Sequence, residues 1–474
     1  MIERSLTAQM DDVPTAERRI RGILRAPLLL TEQFREFAHS EAMGAIILLV
    51  SAIVALVWAN SGWADLYFDI LHTQVALSVG QHTFSLSVHH LINDLLMTLF
   101  FLVVGLEIKR ELLVGELASV RKAVLPVTAA VGGMLVPALI FIAFNLGGAG
   151  QRGWGVPMAT DIAFALGILA LLGARVVPGL KVFLTALAIA DDLGAVLVIA
   201  LFYTPSLSLA ALVVAAVLLA GIVAASRRGI RSTPLYVLLG IGVWAAMFIS
   251  GVHATVAGVL IALTIPVRAR MEPDEFLVLG YTRLQELSGA QLTTESMIHD
   301  RRQLDMIVEL HEAARDMRPP GLVIEHALHP VIAWVIMPLF ALFNAGVPLE
   351  GDLLSAVFSP VTAGVFLGLV VGKQVGVTLS SWLAVRLGWA SLPEGVTWRM
   401  LYGASWLAGI GFTMSLFVTE LAFADESLIN EAKLGILLAS LMAGAVGYAL
   451  LQAWLPRQEE METLGERAPR EVLQ

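Results

Sequence analysis

Apolar runs of about twenty residues, separated by short polar breaks, occupy most of the chain between positions 41 and 455. Crossing a bilayer as a helix takes about 20 consecutive apolar residues. The runs are continuous and lack the in-out alternation of barrel strands, so the spans are helices. The pattern predicts twelve, near 42–60, 92–113, 122–144, 155–173, 179–203, 207–225, 233–250, 252–267, 328–347, 361–386, 399–423 and 431–454. One non-helical element is expected outside the membrane. Alternation at Val75, Leu77 and Val79, then Gly80-Gln81, then Phe84, Leu86 and Val88 predicts a β-hairpin over about 74–89.

The basic residues test this count. Arg18, Arg19, Arg21, Arg25, Arg35, Lys109, Arg110, Arg121, Lys122, Arg175, Lys181, Arg227, Arg228, Arg231, Arg386 and Arg399 fall on one side of the alternating spans. Arg152 and Lys433 are nearly all that falls on the other side. Positive charge marks the cytoplasmic face, which places both termini in the cytoplasm. The expected division is a cytoplasmic N-terminal segment 1–40, eight spans over 41–268, a charged cytoplasmic insertion 269–325, four spans over 326–455 and a tail 456–474. Leu304, Ile307, Leu310 and His311 give the insertion some helical spacing. The first forty residues lack the apolar centre of a cleavable signal, so the first span is expected to remain a helix. A lone hairpin is marginal in water, so this one is expected to lie on the protein or pair with a second copy, giving a homodimer.

Composition agrees. Of 474 residues, 57% are hydrophobic and 15% charged, with a mean hydropathy of +0.80, against about 25% charged in a soluble domain. The net charge of −9 implies no nucleic-acid surface, and the absence of cysteine excludes disulfides and thiolate chemistry.

The candidate chemistry lies where charge meets the apolar runs. An ionised group in hydrocarbon is costly unless it faces water, a partner or an ion. Asp191 and Asp192 sit near the middle of the fifth run, about ten residues from either end. Adjacent carboxylates in a low dielectric resist joint ionisation, while a bound cation favours it. Protons and cations therefore compete for the same oxygens, which is the minimal chemistry of an exchanger. Thr160-Asp161 follows Pro157 and is expected to interrupt the fourth span, and Gly409-Ile-Gly411-Phe-Thr413 to interrupt the eleventh. Lys373 lies at mid-depth in the tenth span and needs a carboxylate, Asp191 or Asp192. Asp94 opens the second span and Glu107, Lys109, Arg110 and Glu111 close it, with Glu107 one turn deeper and able to titrate at a funnel mouth. Glu325, His326 and His329 stand at the cytoplasmic start of the ninth span, where histidine suits a pH response. His253, at a tight junction between spans, reads first as a packing residue and second as a member of the pH-responsive set.

Together these stretches resemble the NhaA family of bacterial sodium/proton antiporters. The matches are Asn93-Asp-Leu-Leu-Met through Gly105-Leu-Glu-Ile-Lys-Arg-Glu111, Ala159-Thr-Asp-Ile-Ala-Phe-Ala-Leu-Gly167, Leu187-Ala-Ile-Ala-Asp-Asp-Leu-Gly194, Ser250-Gly-Val-His-Ala-Thr-Val-Ala-Gly258, Leu339 to Gly346, Gly372-Lys373 and Gly409 to Ser415. The resemblance covers roughly 35–268 and 322–455. It implies an all-α polytopic membrane protein of about twelve helices, with the third to fifth and tenth to twelfth as inverted repeats and the fourth and eleventh broken and crossing. This family is itself one from which the inverted-repeat rule was drawn. It further implies Na⁺ or Li⁺ exchange for H⁺ in pH and sodium homeostasis, a bacterial inner-membrane location and a hairpin-mediated homodimer. Neither a cofactor nor an enzymatic activity is implied. On matching positions, Asp192 would be the main ligand of the transported Na⁺ with Asp191, Thr160 and Asp161 nearby, and Asp191 the proton-linked partner of Lys373. Asp94, Glu107, Glu111 and Glu325 would line the funnel and tune the pH response.

The insertion at 271–321 and Leu322-Val323-Ile324 before Glu325 depart from the family pattern and bear on the pH set-point more than on transport. An intramembrane aspartyl protease would need Tyr-Asp and Gly-x-Gly-Asp patterns, which do not surround these aspartates. A passive cation channel would move ions without a counter-proton.

Overall fold

Among the described residues, eight helices are long and apolar enough to cross a bilayer: Ala42–Ala59, Val88–Leu113, Val120–Asn145, Pro178–Phe202, Leu209–Arg227, Pro320–Asn344, Pro360–Arg386 and Glu426–Trp454. Two further crossings are bent pairs, Ala149–Met158 with Ile162–Leu171 at 43° and Trp398–Ala408 with Phe412–Ala422 at 44°. The apolar helices Pro234–Ser250 and Thr255–Thr264 are shorter. In chain order these occupy the twelve predicted positions, and they are numbered so below. The structure is a computed structural model that describes residues 41–79, 82–204, 207–228, 230, 233–269, 271–289, 301–349 and 353–455. The predicted segments 1–40 and 456–474 and the Gly80-Gln81 turn lie outside the described residues.

Burial sorts the spans. Over its most apolar stretch the fifth is 61% buried and the sixth only 17%, so the helix carrying Asp191-Asp192 is central and the sixth lies at the rim. Exposed Leu135, Leu139, Val213, Val217, Leu238 and Ile241 form the apolar exterior that a membrane covers. Between spans in lipid, close packing does the work that the hydrophobic effect does in water, and small residues permit it. Gly132 on the third span packs against the backbone of Gly376 on the tenth, and a methyl group on Gly372 would come within 2.8 Å of the Pro137 backbone. Phe417 joins Phe101 and Phe340 at ring-centroid distances of 5.4 and 6.4 Å, tying the eleventh span to the second and ninth.

Some boundaries differ from the sequence pattern. The second span begins at Val88, capped by the Ser87 side chain, which accepts from the His90 amide. The ninth begins at Pro320, with proline in its first turn, so Glu325 lies inside a helix rather than before one. Short π-helical stretches interrupt the second, ninth and tenth spans at Leu91–Leu96, Ile332–Ile336 and Gly368–Gly372. Such wide turns re-aim the residues around them, here Asp94 and Lys373. Gly251, at φ +83°, makes the turn between the seventh and eighth spans in a conformation costly for other residues.

Outside the spans, β1 (Gln74–Val79) pairs antiparallel with β2 (His82–Ser87), Leu77 opposite Phe84. Among its described residues the insertion holds the helices Pro273–Gly289 and Arg301–Asp316. Arg283 clamps them, donating from Nε to Glu309 Oε2 at 2.7 Å and from Nη2 to Glu309 Oε1 at 3.2 Å.

Candidate functional site

Where the fourth and eleventh spans break, their backbones meet. Asp161 caps the half-helix Ile162–Leu171 through Oδ1, which accepts from the Phe164 amide at 3.0 Å. Its Oδ2 reaches across to the other broken span, accepting from the Thr413 amide at 3.0 Å and the Thr413 hydroxyl at 2.5 Å. In return the Asp161 amide donates to Ile410 O at 2.7 Å and the Thr160 hydroxyl to Ala408 O at 2.7 Å. Each broken end thus satisfies the other, as non-helical backbone at membrane depth requires. Pro157 lies in the broken stretch of the fourth span, and in the eleventh the absence of a side chain at Gly409 and Gly411 admits the close approach of Leu369 O and of the Ser415 side chain. Thr160, Asp161 and Thr413 are at most 1% exposed.

Beside this crossing runs the fifth span. Lys373 Nζ donates to Asp191 Oδ2 at 2.5 Å, with the two side chains 1% and 0% exposed. The sequence left Asp191 and Asp192 open as partners of Lys373, and the structure selects Asp191. Thr160 also lies beside Asp191. Asp192 points a different way, as adjacent helical residues must. It lies where the charges of Asp191, Glu107 and Asp161, and in the opposite sense that of Lys373, act on it. Asp191 Oδ1 and Asp192 Oδ1 are buried without a hydrogen-bond partner. The cluster therefore joins one neutralised carboxylate to one carboxylate beside other acids, and that surplus of negative oxygen suits a hard cation or a proton.

Farther along the second span, Arg110 gathers the predicted funnel acids. It contacts Glu325 directly through Nη1, Glu111 at 3.6 Å and Glu107 at 3.9 Å. A cavity of about 180 Å³ opens here, lined by Arg110, Val114, Val267, Pro319, Leu322 and Glu325. Asp94 is half-buried in the π-helical turn at the opposite end of the span, apart from this cluster, with its backbone carbonyl taken by the Thr98 hydroxyl. His253 is satisfied by packing, its Nε2 2.9 Å from Tyr203 O.

Sequence reasoning missed three groups. Thr413 was quoted within a motif but given no role, and its hydroxyl is the lateral partner of Asp161. Glu420 ends the eleventh span and pairs with Lys433 at 2.8 Å. Asn93 and Asn344 interlock their amides at 2.9 and 3.2 Å. Polar residues near span ends read as caps, and only the fold brings these together.

A family model described as "Na+/H+ antiporter 1" matches residues 35–451. The chain is 47% identical over 460 residues to "Na(+)/H(+) antiporter NhaA" of Oleidesulfovibrio alaskensis, covering 95% of this chain and 99% of that protein. It is 49% identical over 423 residues to the protein of the same description from Acidithiobacillus ferrooxidans, covering 87% and 95%. A third, from Syntrophobacter fumaroxidans, is 48% identical over 422 residues, covering 88% and 89%.

Proposed function

The chain belongs to the Na⁺/H⁺ antiporter 1 family, and from that premise we propose that its exchange of Na⁺ for H⁺ runs through Asp192 with Asp191 and Lys373 as the proton-linked pair. The protein is a multi-pass membrane transporter, not an enzyme. The observation that carries the site assignment is the asymmetry between the two neighbouring aspartates. Asp191 is paired directly with Lys373 Nζ at 2.5 Å, whereas Asp192 has Asp191, Asp161 and Glu107 for neighbours and feels Lys373 only at longer range, and each aspartate keeps one buried oxygen without a partner.

In this reading the cation replaces protons at Asp192 and is steadied by oxygens of Asp191, Thr160 and Asp161. Sodium weakens the hold of Asp191 on Lys373, so the pair gives up its proton on the side from which sodium binds and takes one up on the side where sodium leaves. Because one set of oxygens serves both ions, neither crosses without displacing the other. Li⁺, a hard cation of the same charge, uses the same oxygens. Two orientations of the broken spans expose the site in turn, and the third to fifth and tenth to twelfth spans form the inverted halves.

Glu107, Glu111 and Glu325 around Arg110 form the cytoplasmic funnel and set its pH response, with Asp94 and His253 toward the opposite face. The basic-residue asymmetry supports cytoplasmic termini and a cytoplasmic insertion ending where the ninth span begins at Pro320, and membership of the family supports a bacterial inner-membrane location. The unpaired edges of the two-stranded hairpin support a homodimer formed through it.

Everted vesicles carrying a pH-sensitive dye test the assignment. Added Na⁺ should dissipate an imposed proton gradient, Asp192→Asn should abolish the response, and Lys373→Ala should weaken it or move its pH dependence. Normal exchange by Asp192→Asn would remove the assignment, and sodium movement without proton movement would indicate a channel.

A further inference from the structure

The charged insertion carries an apolar face that its own fold leaves open. In its first helix, Pro273–Gly289, Leu277, Val278, Tyr281 and Leu284 are 65, 70, 71 and 60% exposed. Positions 277, 281 and 284 recur at helical spacing with 278 beside them, so the four form one stripe about two turns long. Arg283, clamped on Glu309, marks the side held by the second helix, and the stripe lies on the other side. This helix is not among the apolar spans that a bilayer covers. A contiguous apolar stripe on a charged element outside the spans marks an interaction surface.

What stands around the stripe selects its occupant. The insertion leaves and returns at one point, where the Gly321 amide donates to Pro266 O at 3.0 Å, beside the cavity that Val267 and Pro319 line with Arg110 and Glu325. The first span runs parallel to the ninth. An added methyl on Gly44 would lie 3.9 Å from Ala333 Cβ, and toward the far ends Asn60 Nδ2 donates to Val347 O at 2.8 Å. The residues before Glu41 therefore leave the membrane on the face where the insertion stands. Among them, Arg18, Arg19, Arg21 and Arg25 fall within eight residues that hold no acid, and Ile20, Ile23 and Leu24 recur at helical spacing. The two helices of the insertion carry seven acids and four arginines, of which Arg283 is engaged by Glu286 and Glu309. Reach is ample. The twenty residues from Leu24 to Gly44 can extend about 65 Å, whereas the ninth span rises only about 20 Å from Ala333 back to Pro320.

We propose that the stripe is the docking site of the chain's own N-terminal segment, residues 13–30, with Ile20, Ile23 and Leu24 against the stripe and the arginines against the acids around it. Lipid suits the stripe less, because the anionic cytoplasmic leaflet attracts basic segments and repels an acidic platform. The docked segment ties the entry of the first span to the element whose two ends flank the Arg110–Glu325 cavity. The inference goes beyond the exchanger reading and does not depend on which residues carry the ions.

The chain has no cysteine, so a single introduced thiol reports on this face. Tyr281→Cys places it in the stripe, and Thr282→Cys, at an exposed position off the stripe, is the control. Both are labelled with a charged maleimide in lipid nanodiscs, where both faces of the protein meet the reagent. Deleting residues 13–30 should quicken labelling of Tyr281→Cys about tenfold, as for a face uncovered about a tenth of the time in the full chain. Labelling of Thr282→Cys should not change. Changing Arg18, Arg19, Arg21 and Arg25 together to Glu should act as the deletion does, and parental melting temperatures verify that each variant is folded. Equal labelling of Tyr281→Cys with and without the segment would overturn the proposal. Fast labelling in both would show an open face, slow labelling in both that quickens in detergent would assign the stripe to lipid, and slow labelling that quickens on dilution would assign it to a second copy.

Discussion

The smallest unit on which the site depends is one carboxylate oxygen, Asp161 Oδ2. It accepts from both the amide and the hydroxyl of Thr413, and no water-facing group competes for it at this depth. Removing the hydroxyl leaves a buried carboxylate oxygen short of a donor, a loss of about 1–3 kcal/mol. Thr413→Val keeps the shape and deletes the donor. The expected result is a rise of about five- to thirtyfold in KM for Na⁺, with a lower melting temperature in detergent, while Thr413→Ser remains close to the parent. Equal KM values for the Val and Ser variants would show that the hydroxyl has no part in holding the crossing. The aspartates themselves were legible in the sequence, because a carboxylate inside an apolar run needs a reason. Their division of labour was not. Adjacent positions on one helix reveal only that Asp191 and Asp192 point apart, and the partner of Lys373 follows from how the fifth and tenth spans pack.

Among elements, the contact between the third and tenth spans sets where Lys373 sits. A methyl on Gly372 would come within 2.8 Å of Pro137 Cα, which is backbone and cannot swing aside. Gly372→Ala must therefore push two spans apart next to the lysine. It should cost about 1–3 kcal/mol of stability and reduce exchange, read by detergent melting curves and vesicle assays. Gly221 on the sixth span is the control, since an added methyl there meets nothing within 4 Å. Gly221→Ala should hold or raise stability by up to about 1 kcal/mol. If both alanine variants melt like the parent, close packing at Gly372 is not what positions Lys373. Ten of the expected spans were readable from apolar length, while the seventh and eighth positions hold shorter apolar helices, and both breaks were readable from proline, glycine and polar residues inside apolar runs. The π-helical turns were not, because nothing in Leu91–Leu96 or Gly368–Gly372 distinguishes a wide turn from an ordinary one. The early start of the ninth span was hidden because Pro320 reads as a breaker, although it is well tolerated in a first helical turn.

At the scale of the whole molecule, the hairpin is the element that the single chain leaves incomplete. Among the described residues its two strands pair only with each other, and a sheet that small is marginal unless another strand or surface completes it. The edges of β1 and β2 are free to add strands from a second copy across a two-fold axis, which is the dimer proposed above. The geometry at its base makes the idea easy to test. The amide of Val88, which opens the second span, donates to Thr73 O at 3.0 Å, so the chain enters and leaves the hairpin at nearly the same point. Residues 74–86 can therefore be replaced by a short Gly-Ser link that leaves the Ser87 cap of the second span in place. Because Asp191, Asp192 and Lys373 lie within one chain, the shortened protein should still exchange Na⁺ for H⁺ at saturating sodium. It should run as a monomer by native mass spectrometry where the parent runs as a dimer. A shortened protein that stays dimeric would assign the interface to the apolar flanks of the spans, and a monomeric parent would leave the hairpin to lie on its own subunit.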